Sequence, residues 1–147
     1  MLQRLPRTLP LWLAALWAMS LTTMGVLVVP MLFKFLPTPA MAGNMAAQLF
    51  QLQTGVSVAC AVGLMLCLRS HTGTIARADA ANLAVWILGG ALLALLVELG
   101  VAPRIVARDN LALWHRVGSA MYLGQWACAL VVFHRLASLS SVSASSR

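Results

Sequence analysis

Acidic side chains are nearly absent from this 147-residue chain: Asp79, Glu98 and Asp109 are all it has. Charged residues of both signs make up 9%, against ~25% in ordinary soluble domains. So little polarity cannot cover a water-facing surface. Paired-carboxylate catalysis is excluded as well, since only Glu98 lies inside an apolar stretch. Cysteine is sparse and odd in number. Cys60, Cys67 and Cys128 all sit within apolar stretches, so they read as small fillers and not as a disulfide framework. No GxSxG elbow, HExxH helix or GxxxxGK[ST] loop is present. The chain is therefore read as non-enzymatic, with no metal-ligand set and no cofactor expected.

What is abundant is apolar length. Hydrophobic residues reach 61% and mean hydropathy is +0.89. Four stretches, about 11–33, 46–68, 80–102 and 111–133, each approach the ~20 residues that cross a ~30 Å hydrocarbon core as a helix. The expected fold class is all-α, a four-helix transmembrane bundle that could pack as two helical hairpins. Residues 1–10 read as a basic lead, 11–135 as the membrane domain and 136–147 as a flexible tail rich in serine. Arg4 and Arg7 with Ala40-Met41-Ala42 imitate a signal peptide. The 23-residue run from Leu11 to Phe33 is too long for a signal core of ~7–15 residues, so the first helix is expected to be retained.

Prolines punctuate the chain. Pro10 suits a helix start, Pro30 a kink, Pro37 and Pro39 a break, and Pro103 the end of the third helix. Residues 40–53 mix Met41, Met45, Leu49 and Leu52 with Asn44, Gln48 and Gln51, and read as an amphipathic lead-in at the interface. Gly55, Ala59 and Gly63 recur every fourth residue, the spacing at which a neighbouring backbone approaches closely in lipid. Val29-Pro30 and Ala102-Pro103 close alternate helices, a faint internal echo suited to a duplicated hairpin.

The net charge of +7 points to anionic lipid headgroups, because no basic stripe with interleaved aromatics suggests nucleic acid. Arg4, Arg7, Arg69, Arg77, Arg135 and Arg147 fall on one side of a four-span topology; Lys34, Arg104, Arg108 and Arg116 fall on the other. The positive-inside rule then places both termini in the cytoplasm, and the Ala- and Leu-rich, Arg-over-Lys usage suggests a bacterial inner membrane. Partners beyond the bilayer would be further copies of the chain or another membrane protein.

One polar cluster stands out. Glu98 lies about one turn before Pro103, and His115 about one turn into the fourth helix, so an antiparallel hairpin sets them at similar depth. Arg104 and Arg116 are near in sequence. A carboxylate in lipid costs roughly 3 kcal/mol at mid-helix and less near an end. A pair from Glu98 to Arg104, His115 or Arg116 would offset that. His115, Ser119, Tyr122 and Trp126 form one face of the fourth helix, with Gln125 one position off. Two readings of Glu98, Arg104, His115, Arg116, Ser119 and Tyr122 stand side by side: a structural lock, or an outward-facing site for a small ligand. Transport or metal handling is an alternative, with Met31, Met41 and Met45 as soft donors for copper. Haem on His115 is another.

Val29-Pro30-Met31-Leu32-Phe33, Leu36-Pro37, Ala42-Gly43 and Leu49-Phe50, followed by Ala102-Pro103-Arg104-Ile105 and Leu113-Trp114-His115-Arg116, resemble the transmembrane protein 205-like family. The resemblance covers about residues 10–135. It implies a small four-helix membrane protein without an assigned activity. His115 and Ser119 match that family's His and Ser at the start of the last helix, whereas Tyr122 stands where the family often has Asn.

Overall fold

The computed structural model describes residues 8–70, 77–107 and 109–145, with the backbone alone at 77 and from 140 onward. Arg4, Arg7, most of the 69–79 loop including His71, Arg108 and Arg147 lie outside the described residues. Four long helices account for almost all of the rest. The first runs Leu9–Phe35, the second Pro39–Ser70, the third from Arg77 to Val106 and the fourth Leu111–Ser145. All four are long and apolar enough to cross a membrane. At 27 residues even the shortest extends roughly 40 Å, more than the hydrocarbon core requires.

Hydropathy alone locates the apolar middle of each helix and misses its polar ends. Residues 40–53, the amphipathic lead-in, form the opening turns of the continuous second helix. Ala42 and Ala46 are buried there against neighbours. Thr38 starts that helix: its Oγ1 accepts the Met41 N–H at 3.2 Å, and Pro39 occupies the first turn, where its missing N–H costs nothing. At the other end of the chain the fourth helix continues to Ser145. Nothing after Gly124 stops it, since no glycine or proline follows.

The first and third helices share an irregularity. Each contains one π-helical stretch, Met24–Val28 and Val97–Val101, where the closing bonds run from Val29 N–H to Met24 O and from Ala102 N–H to Val97 O. Each stretch ends two residues before a proline, Pro30 or Pro103. A helical proline has no N–H to donate and its ring collides with the carbonyl four residues back. Widening the preceding turn relieves both problems without breaking the helix. The echo between Val29-Pro30 and Ala102-Pro103 is thus a repeated backbone feature.

The helices form a closed ring. Each packs against its neighbours in sequence, and the fourth closes on the first. Successive helices pair as two hairpins, and the hairpins pack against each other along both edges. The core comprises Ala14, Trp17, Ala18 and Leu21 from the first helix, Cys60, Ala61 and Leu64 from the second, Leu83 and Ile87 from the third, and Ala129, Val132 and Leu136 from the fourth. So many small residues let backbones approach closely, as helix association in lipid requires. Cys60, Cys67 and Cys128 are buried and free. The larger apolar side chains Leu16, Val26, Val62, Val85 and Leu92 face outward, where lipid would lie.

Both diagonals of the ring are bridged. Trp17 of the first helix is fully buried across from Gly90 of the third: a Cβ on Gly90 would lie 2.7 Å from Trp17 Cη2 and 3.1 Å from Cys128 Cβ. Gln125 of the fourth helix reaches Ser57 of the second, its Nε2 donating to Ser57 Oγ at 2.8 Å.

Candidate functional site

The polar side chains divide into two groups at different depths. The deeper group begins with Gln53 and Ser57, one turn apart on the second helix and both buried. Their positions continue the spacing of Ala46, Cys60, Leu64 and Cys67, which faces the core. Gln53 Nε2 donates to Ser20 Oγ of the first helix at 3.0 Å. The Ser20 hydroxyl in turn donates to Trp17 O at 3.0 Å. Ser57 Oγ donates to Gln53 O at 2.9 Å while accepting from Gln125. Alongside, Trp126 Nε1 donates to Thr22 Oγ1 at 2.9 Å, and Thr22 donates to Ala18 O at 2.8 Å. The first, second and fourth helices are therefore tied in one polar layer. In hydrocarbon a polar group without a partner is costly, so a connected layer of this kind fixes which faces meet.

Tyr122 joins this layer. Its hydroxyl donates to Leu21 O at 2.7 Å, and its ring meets Phe50 edge-on with centroids 5.4 Å apart. Gly25, in the π turn of the first helix, makes room: a Cβ there would lie 3.1 Å from Tyr122 Cε1. Tyr122→Phe keeps the ring and removes only the bond. It is expected to cost roughly 0.6–1.7 kcal/mol, measured as a shift in the unfolding midpoint in detergent, and Gly25→Ala more than that.

The shallower group lies at the proline-rich end, where the first and third helices finish. Glu98 sits in the π turn of the third helix and is half-buried. Glu98, Ala102 and Val106, spaced by four, face the second helix, while Val101 and Ile105 face Gly118 of the fourth. Glu98 therefore shares a groove of about 280 Å³ with Ala47, Gln48, Gln51, Ala102, Pro103 and Val106.

The remaining residues of the sequence-predicted cluster are not gathered around Glu98. Among the described residues no ion pair joins it to Arg104, His115 or Arg116. The Arg104 guanidinium stacks on Trp114, 4.3 Å from the ring centre. His115, Arg116 and Ser119 are exposed on the fourth helix. Gly118 turns to the third helix, and about 100° of rotation per residue carries Ser119 outward. Of the stripe from His115 to Trp126, only Tyr122 and Trp126 are bonded inward. Gly63 packs against Leu13, with its Cβ position 3.0 Å from Leu13 Cδ1. Gly55 meets nothing within 4 Å, and Ala59 is exposed.

Met31, Met41 and Met45 are exposed, as is His115, the candidate axial ligand. Among the described residues no three His, Cys, Asp or Glu side chains are placed to hold a metal ion.

Comparison with known families decides the kinship of this arrangement. The profile described as "Domain of unknown function (DUF4149)" matches residues 12–113. The chain belongs to that family. This is the group of small four-helix membrane proteins to which the proline-centred motifs pointed. No curated protein and no solved structure matches the chain. The part matched to DUF4149 contains both π turns, the Glu98 groove, Gln53 and Ser57, whereas Tyr122, Gln125 and Trp126 lie beyond it.

Gln53, Ser57, Ser20 and Thr22 escape a search confined to ionisable groups. The usable signal is positional, because Gln53 and Ser57 share the helical face of the buried small residues.

Proposed function

We propose that this multi-pass membrane protein is a non-enzymatic binding protein whose groove between the second and third helices takes a small polar ligand through Glu98. The observation that supports the reading is the setting of that carboxylate. It is half-buried inside a span long and apolar enough to cross a membrane, beside Gln48 and Gln51, and no ion pair among the described residues joins it. A carboxylate held in lipid with no ion-pair partner among the described residues is a cost that a purely structural role does not require. The deeper layer of Gln53, Ser57 and Gln125 serves as scaffold, since its hydrogen bonds are made within the protein. Both termini are assigned to the cytoplasm of a bacterial cell, which sets the groove in the outer leaflet.

The two roles of Glu98 give opposite results on substitution. As half of a structural pair, Glu98→Gln would lower stability. As a ligand-binding group, it leaves the unfolding midpoint unchanged or raises it, because an amide is cheaper than a carboxylate in lipid. Native mass spectra of both proteins, released gently from detergent, provide the test. A small-molecule adduct on the wild type that disappears from a stable Glu98→Gln variant is the expected result. Bare chains in both, or a variant that no longer folds, would overturn the proposal.

A further inference from the structure

The chemistry of the groove narrows its ligand to one class, and this step rests on the binding role just proposed. The polar lining is one carboxylate and two side-chain amides, while Ala47, Ala102, Pro103 and Val106 supply apolar walls. A divalent cation such as calcium takes 6–8 oxygen ligands and magnesium demands six in near-octahedral array, more than this lining offers without water. A quaternary ammonium is recognised by aromatic faces, and none lines the groove. A primary ammonium has three N–H donors and no acceptor. The Glu98 carboxylate and the side-chain carbonyls of Gln48 and Gln51, which line the same groove, are acceptors of the kind those donors need.

The surroundings of the groove indicate what carries that ammonium. Gln48 and Gln51 are exposed, so the groove opens at the perimeter of the bundle and not into its middle. Its neighbours on the same two helices, Met45, Leu52 and Leu99, are themselves exposed, Leu99 at 75%. Such side chains face acyl chains, so the mouth opens sideways into the bilayer. Glu98 lies eight residues before the end of its helix, roughly 12 Å below that end. The helix is roughly 43 Å long against ~30 Å of hydrocarbon, so with the core centred on it Glu98 lies about 6 Å inside the hydrocarbon edge, beneath the phospholipid headgroups. An ammonium carried directly on an alkyl chain, with no glycerophosphate between, reaches that level.

We infer that the groove binds a single-chain primary amine from within the membrane, its ammonium on Glu98, Gln48 and Gln51 and its alkyl chain along the third helix.

The test is calorimetric titration of the whole chain in phosphatidylcholine nanodiscs, with empty nanodiscs subtracted. Dodecylamine is expected to bind saturably, one per chain. Dodecyltrimethylammonium, equal in charge and tail but without N–H donors, is expected to bind about 10-fold more weakly or worse, as is dodecylamine to Glu98→Gln. Gln51→Leu, which keeps the charge, should weaken dodecylamine binding and leave the unfolding midpoint unchanged. Equal binding of the two amphiphiles would overturn the ammonium assignment. Tight binding of ethylamine would overturn the requirement for a tail, and a response only in nanodiscs containing phosphatidylethanolamine would move the ligand to the headgroup. Failure of every amine, with a Glu98-dependent adduct still present by mass spectrometry, would reject this inference and leave the binding role standing.

Discussion

Gly90→Ala is expected to lower stability by about 2 kcal/mol, whereas Gly89→Ala, one residue earlier, is expected to cost nothing. The two substitutions add the same methyl group to the same helix. At Gly89 the methyl meets nothing within 4 Å; at Gly90 it would lie 2.7 Å and 2.9 Å from two carbons of the Trp17 ring and 3.1 Å from Cys128 Cβ. Alanine gains about 1 kcal/mol over glycine in a helix, which Gly89→Ala should show in part. At Gly90 the clash exceeds that gain. Trp17 is a rigid, fully buried ring, and the Cβ of Cys128 moves only with its backbone. Trp17→Phe removes the ring atoms that collide. Alone it leaves a void, but it also removes the indole N–H, a buried donor without a partner. The double variant should therefore be more stable than the sum of the single effects. Unfolding midpoints for all four proteins in one detergent check this, and simple additivity would show that the ring and the glycine do not touch.

Gln125→Leu carries the second largest expected loss, about 1–2 kcal/mol. The substitution leaves the size of the side chain similar but takes the amide donor from Ser57 Oγ across the diagonal. Ser57→Ala is expected to cost about the same, because Gln125 then keeps a buried amide with one bond fewer. With both changed, neither polar group remains to be satisfied, and the loss should fall well below the sum. Cycles of this kind in membrane proteins give couplings of about 0.6 kcal/mol on average and up to about 1.7. A coupling indistinguishable from zero would mean that the bond does not help to hold the second helix against the fourth.

The sequence shows the four helices plainly because a bilayer demands a long uninterrupted apolar run, which few other structures contain. Glu98 is equally legible, as the one acid inside such a run. Its surroundings are not. Nearness along the chain suggests Arg104, His115 and Arg116, whereas the structure turns Glu98 to Gln48 and Gln51 of the second helix. The difference is rotational. Pro103 announces an interruption, but not that the interruption is a widened turn, and a widened turn changes the facing of the residues within and after it. The same limit explains the outward placement of His115 and Ser119. Spacing tells which residues share a face, and only packing against Gly118 tells which way that face points.

The two bridged diagonals carry a consequence for movement. Four helices that touch only along the edges of a square enclose a seam, and a slight outward tilt of any one opens a passage. Here Trp17 wedges one diagonal and the Gln125–Ser57 bond staples the other, so the middle of a single copy is a plug. Parting the helices there would break both contacts together. The short segments beyond the π turns, Val29–Phe35 and Ala102–Val106, lie past those fastenings. The middle of the bundle is thus held by both fastenings and these rim segments by neither.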